Sequence, residues 1–152
     1  MKIGILTVSD TRILETDESG DVIARGLSGL TSEEISRKLV RDDVGEIRVG
    51  LDALKSVEIV IVNGGTGIAK RDVTFEAVQS LIVTEIPGFG ELFRALSFQE
   101  IGTHAIASRA LAFFDSRNRL IFCLPGSPKA CQLAIDKIIR PEIDHLLKER
   151  AK

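Results

Sequence analysis

Val57-Glu58-Ile59-Val60-Ile61-Val62 runs without interruption into Asn63-Gly64-Gly65-Thr66-Gly67, and the fold follows from how this junction is read. Ile59 to Val62 is β-branched throughout, the composition of a strand buried on both faces. The glycines that follow end it in a loop with unusual backbone freedom. Working outward, Ile3 to Val8 is a second continuous apolar run and Leu120 to Leu124 a third, while Ile35 to Val40 is a weaker, charged strand candidate. Between them lie helical patterns. Val22, Ile23 and Leu27 follow the charged stretch Glu15 to Asp21, and Val44, Ile47, Leu51 and Leu54 fall on one stripe. Thr74 is placed to cap a helix whose buried side is Val78, Leu81 and Ile82. Ser127 followed by Pro128 starts another, continued by Leu133, Ile135 and Ile138, and Pro141 opens a short final helix. Ile86 to Gly90 reads as a break, with helices expected over Glu91 to Glu100 and His104 to Phe114. Strands alternating with helices predict an α/β domain with a mostly parallel sheet.

The 152 residues suit one domain, expected to span 1–152 without a linker or repeat, and 44% hydrophobic residues suffice for a sizeable core. A net charge of -2 gives no basic footprint, so nucleic acid is not an expected partner. No apolar run reaches the roughly 20 residues of a membrane span, and the N-terminal run reads as a strand rather than a signal peptide. Cys123 and Cys131 form no CxxC pair and read as buried thiols, consistent with a reducing cytoplasm. The two histidines, His104 and His145, are too far apart in sequence to suggest zinc.

Ligands of open parallel sheets bind beyond the carboxyl ends of the strands. Four such ends carry polar or glycine-rich loops here: Ser9-Asp10-Thr11, Arg41-Asp42-Asp43, Asn63 to Asp72, and Pro125-Gly126-Ser127. In a parallel sheet these loops converge on one rim. Gly64, Gly65 and Gly67, with Thr66 between, could let backbone N–H groups approach a phosphate. Lys70 and Arg71 could add positive charge, and Asp72 could hold a hard cation such as Mg²⁺. The stretch is neither a Walker A motif nor a GxGxxG fingerprint, and a plain strand-to-helix turn would also explain it. Asp42-Asp43 can equally be read as solvated acids in a first helical turn. Two separated carboxylates, Asp42 and Asp72, on the rim of a phosphate loop nonetheless point to Mg²⁺-dependent phosphoryl or nucleotidyl transfer. Arg94 and Arg109 read equally as phosphate ligands or as salt-bridge partners. Phe89, Phe93, Phe113 and Phe114 read as packing groups.

Across nearly its whole length the sequence resembles the MogA/MoaB family of molybdenum-cofactor biosynthesis proteins, and within it the MoaB branch. The stretches that carry the resemblance are Val8 to Arg12, Glu18-Ser19-Gly20, Val40 to Asp43, Gly64 to Gly67 with Arg71 to Thr74, Ile86 to Arg94, Ile101 to Thr103, Ser108 to Ala110 and Leu124 to Pro128. Arg41 and Asn63 depart from the usual wording, which has proline before the first acid and threonine or serine before the glycines. The resemblance implies a three-layer α/β/α fold with helices on both faces of the sheet. It implies Mg²⁺- and ATP-dependent adenylylation of molybdopterin, with Asp42 and Asp72 as the metal-associated catalytic acids. Gly64 to Gly67 and Arg71 then belong to the nucleotide-phosphate cradle, Ser9 and Asp10 to the pterin side, and Pro125, Gly126 and Ser127 to the same cleft. Small-molecule substrates, a homo-oligomer (a trimer, or a hexamer built as a dimer of trimers) and hand-over to a molybdate-inserting MoeA-like protein are further implications. A non-catalytic molybdopterin- or nucleotide-binding scaffold would keep the same cleft, as would another nucleotide-processing enzyme.

Overall fold

The computed structural model describes residues 1–152. Six strands form one sheet: β1 (Ile3–Val8), β2 (Ser36–Val40), β3 (Ile59–Asn63), β4 (Thr84–Glu85), β5 (Leu111–Phe114) and β6 (Leu120–Leu124). Their spatial order is β2-β1-β3-β6-β5-β4. The first four in that order pair in parallel, and β5 pairs antiparallel with both β6 and β4, so β5 alone runs against the rest. The chain leaves β1 toward β2 on one side and returns to β3 on the other. That reversal opens a crevice between β1 and β3 at their carboxyl ends, the place where open α/β sheets take ligands.

Period-two alternation in the buried strands divides the core into two layers. Ile3, Ile5, Ile59, Ile61, Phe122 and Leu124 face α1 (Glu18–Leu27), α4 (Pro87–Ile101), α5 (Pro128–Ala134) and α6 (Arg140–Arg150). Leu6, Val8, Val60, Val62, Phe113, Ile121 and Cys123 face α2 (Val44–Ala53) and the short α3 (Thr74–Val78). The result is the three-layer α/β/α arrangement with a mostly parallel sheet. Cys123 and Cys131 are buried free thiols, and burial pushes both up to about 12. Phe89 stacks on Phe93 and meets Phe122 edge-on, so these rings are core. No helix is long and apolar enough to cross a membrane.

Several local expectations are corrected. The stretch His104 to Phe114 is not a helix: a 3₁₀ segment covers Gly102–Ala107 and Leu111–Phe114 is β5. All four β5 residues are buried, and a short apolar run buried on every side carries no periodicity that separates strand from helix. Ile86 to Gly90 does not break the pattern; Pro87 is the first residue of α4, where its missing N–H costs nothing. The cap of α3 is Val73, and the Thr74 hydroxyl instead donates to the Gly64 carbonyl at 2.8 Å. Between α5 and α6, Ile135–Ile139 forms a π-helical turn, with the Arg140 N–H reaching back to the Ile135 carbonyl. This widened turn lies immediately before Pro141, whose ring would crowd the carbonyl four residues earlier in a regular helix.

Candidate functional site

The loops after β1, β2, β3 and β6 do converge. One cleft of about 420 Å³ is walled by Ser9, Asp10, Thr11 and Arg12 from the first, Asp42 from the second, Gly64, Gly65, Arg71 and Asp72 from the third, and Gly126 and Ser127 from the fourth. Thr7 and Asn63 form its floor. Of the residues expected here, Thr66, Gly67 and Pro125 are not on the wall. Thr66 is buried, and its carbonyl accepts from the Arg109 N–H. The Gly67 carbonyl accepts from Arg109 Nε at 2.8 Å. Pro125 lines a neighbouring apolar groove between α4 and α5.

The glycine loop owes its path to two left-handed residues, Gly64 at φ +103° and Gly65 at φ +69°. A Cβ on Gly64 would overlap the Val8 carbonyl oxygen, and one on Gly65 would meet the Thr74 hydroxyl at 2.5 Å. Bare backbone at both positions therefore lets β1 and β3 close together while the loop faces the cleft. A Cβ added to Gly126 would lie 3.4 Å from the Gly64 Cα, in ordinary contact, so the β6 loop runs close beside the glycine loop.

Three carboxylates gather at one end. The Asp10 side chain accepts from the Asp42 N–H at 3.0 Å, tying the β1 and β2 loops together. Asp72 accepts from the Ala69 N–H at 3.0 Å, which closes the turn ahead of α3. Partial burial, together with the charges of Asp10 and Asp72, pushes the Asp42 carboxyl above the usual carboxylate range; Arg71 opposes this. Asp43 is not part of the cleft. It caps α2 by accepting from the Glu46 N–H at 2.9 Å. No three His, Cys, Asp or Glu side chains are gathered tightly enough to hold a metal unaided. Crowded, under-neutralised acids of this kind fit Mg²⁺, which commonly takes one or two carboxylates and completes its shell with phosphate oxygens and water.

Beneath the floor lies a polar network that the sequence reading did not find. Asp17, fully buried, receives Thr7 Oγ1 at 2.6 Å, the Gly20 N–H at 3.0 Å and Arg37 Nη2 at 3.0 Å. Burial works to raise its pKa, but these hydrogen bonds and the Arg37 charge prevail and hold it below the usual carboxylate range. Ser19 links Asp17 to Asn63 and to Arg12, whose Nη1 lies 2.6 Å from the Ser19 hydroxyl. Asp17 stands in a charged stretch that reads as solvated surface; the nearest signal was the Glu18-Ser19-Gly20 wording. Arg94 and Arg109 are structural. Arg94 Nη1 donates to the Ser108 and Ala110 carbonyls, and Arg109 pairs with Glu76 while donating to Gly67 and Asp72 carbonyls.

An open α/β sheet with a polar cleft at the β1/β3 switch point defines the class: a three-layer protein of the kind that takes ligands beyond the carboxyl ends of its strands. The chain belongs to the MoCF_biosynth family, described as a probable molybdopterin binding domain, whose profile matches residues 4–145. It is similar to molybdenum cofactor biosynthesis protein B of Staphylococcus aureus (strain COL), at 43% identity over 160 aligned residues covering 100% of this chain and 93% of that one. A crystal structure of a molybdenum cofactor biosynthesis protein B superposes with TM-score 0.91 at 42% identity, covering 99% of this chain and 96% of that one. The tungsten cofactor synthesizing protein MoaB from Pyrococcus furiosus superposes with TM-score 0.89 at 36% identity, covering 99% and 97%. This chain is thus a cofactor-biosynthesis protein of the MoaB type.

Proposed function

We propose that the protein adenylylates molybdopterin at the expense of ATP, releasing pyrophosphate. The observation that carries this reading is the meeting of Asp10, Asp42 and Asp72 around the bare Gly64-Gly65 backbone at the switch point. An oxygen of the pterin's terminal phosphate attacks the α-phosphorus of ATP and forms a new P–O bond. The bond from that phosphorus to the bridging oxygen of the β-phosphate breaks, and its electron pair leaves with pyrophosphate. A phosphate is already a competent nucleophile, so the chain's task is to position two anions and offset their charge.

Asp42 and Asp72 hold Mg²⁺ in this reading, and the ion supplies charge neutralisation on the phosphate oxygens. The Gly64-Gly65 backbone cradles nucleotide phosphate, aided by Arg71. Ser9, Asp10, Gly126 and Ser127 wall the side from which the pterin enters. Residues 1–152 act as one molybdopterin-binding domain, working in the cytoplasm as a trimer or a hexamer and passing product to a MoeA-like protein. Exposed Leu92, Phe98, Ile101 and Ile106 on α4 and the following 3₁₀ segment supply apolar surface for assembly.

The test is purified protein with molybdopterin, Mg²⁺ and ATP, following pyrophosphate and adenylylated pterin. Product should form in the wild type and fall by about 100-fold or more in Asp72→Ala, with the fold retained. Well-folded wild type that binds molybdopterin but yields no product would make the protein a scaffold instead.

A further inference from the structure

The two cations on the cleft wall have different neighbours. Arg71 is the one whose charge acts on Asp42, within the acidic group. Arg12 sits against the β6 loop and α1: its Nη1 reaches the Ser19 hydroxyl and the Gly126 carbonyl, at 2.6 and 3.2 Å. Its charge is felt on Cys131 of α5. The acid nearest to Arg12 is Asp17, 4.0 Å away and already met by Thr7, Gly20 and Arg37.

A guanidinium has five N–H donors in one rigid plane. The two on Nη1 are held by Ser19 and Gly126, which fix the orientation of that plane. The Arg12 backbone is held too, its N–H donating to the Ser9 hydroxyl at 3.1 Å. Nε–H and both Nη2 hydrogens have no protein partner, and the side chain is 30% exposed on the cleft wall. The molecule therefore presents three oriented, charged donors on the cleft wall, and the one ion-pair contact of Arg12 is with Asp17, not with Asp10, Asp42 or Asp72. That pattern suits a phosphate oxyanion, which a guanidinium can bind through paired N–H bonds.

We propose that Arg12 binds the terminal phosphate monoester of the pterin substrate and holds it on the α1–α5 side of the cleft, apart from the metal-holding Asp42 and Asp72. This rests on the reading of the cleft as an adenylyltransferase site, because that reaction brings a second phosphate beside those of the nucleotide. The acidic end alone would repel it. Arg12 gives the incoming dianion a separate anchor, and the Ser19–Asp17 network beneath keeps that anchor from collapsing onto the acids.

The experiment is anaerobic calorimetric binding of molybdopterin and of its dephosphorylated form, without ATP, to wild type, Arg12→Ala and Arg12→Lys. The wild type should favour the phosphorylated pterin by about tenfold or more, the scale of charge-assisted hydrogen bonds. Arg12→Ala should erase that preference while leaving affinity for the dephosphorylated form, and for Mg-ATP, within about twofold. Arg12→Lys should restore part of it, since charge returns without the paired geometry. Arg12→Ala weakening both pterins alike would make Arg12 a structural residue and overturn the proposal. So would a preserved preference, or a wild type that shows none. No turnover is needed for this readout: a wild type that discriminates through Arg12 yet makes no pyrophosphate would sink the adenylylation reading alone.

Discussion

Two buried aspartates, each met by arginine, lie at opposite ends of the sheet, and they are finished differently. At the end remote from the cleft, Arg119 at the start of β6 directs Nε and Nη2 to Asp115 Oδ2, both at 2.8 Å, and Nη1 to the Leu51 and Leu54 carbonyls. Asp115 Oδ1 accepts the Arg117 and Arg119 N–H groups. Both side chains are 5% exposed, and the knot ties the β5–β6 turn to the end of α2. At the cleft end, Asp17 is equally enclosed, but the arginines around it are not used up. Arg37 Nε is buried with no partner, and three donors of Arg12 face the cleft. The remote pair closes a loop. The near one leaves directed charge in reserve, which is what a binding site needs and a fold does not.

The largest expected effect comes from opening the closed knot. Arg119→Met should cost about 3–5 kcal/mol, because Asp115 is left buried without its partner. Chemical denaturation would measure it, and turnover per folded molecule should be unchanged. A loss below about 1 kcal/mol would mean that water or Arg117 replaces the pair. Next is Gly64→Ala, expected to cost about 2 kcal/mol or more, since the added Cβ strikes the Val8 carbonyl at positive φ. Unlike Arg119→Met, it should also impair nucleotide binding, and calorimetry with Mg-ATP separates the two.

Acid sharpens the contrast further. Asp17 titrates below the usual carboxylate range, so the stability it contributes is fully present above roughly pH 4 and is lost as pH falls through its lower folded value. Asp17→Asn should therefore be less stable at neutral pH by about 1–3 kcal/mol and show a shallower loss between roughly pH 4 and 2 in thermal melts. An unchanged acid slope would remove Asp17 as its source. The smallest effect has the opposite sign. Without Mg²⁺, Asp42→Asn should raise the melting temperature by about a degree or two, because it relieves the repulsion from Asp10 and Asp72. A lower melting temperature would show that Asp42 is held by favourable contacts instead. The same substitution should reduce adenylylation by about 100-fold or more.

What could be read beforehand follows the same division. Strands β1, β3 and β6 announce themselves because burial on both faces leaves a continuous apolar run with polar or glycine punctuation. Their carboxyl-end loops are then legible as a set, and Asp42, Asp72, Asp10 and Gly64-Gly65 could be placed together before any coordinates. β5 could not, because Leu111 to Phe114 offers neither a period nor a turn signal of its own, and β4 is only two exposed residues. Asp17, Thr7, Asn63 and Ser19 were illegible for another reason. A buried polar group looks like a surface one in sequence until its partners, from three separate segments, are known.

The π-helical turn over Ile135–Ile139 has a consequence for chain length. α5, this turn and α6 form one unbroken rod from Pro128 to Arg150 that holds one residue more than a regular helix would. Deleting one of those five residues would reset the rod to ordinary winding, because the wide turn already absorbs the extra residue, and everything beyond it would keep its facing. Ile143 would stay in the core, and the Arg150 guanidinium would stay over the Phe114 ring, 4.8 Å from whose centre it now lies. The cost of a single-codon deletion there would be local, where the Pro141 ring meets the carbonyl four residues earlier, whereas the same deletion within α6 would re-aim the helix beyond it.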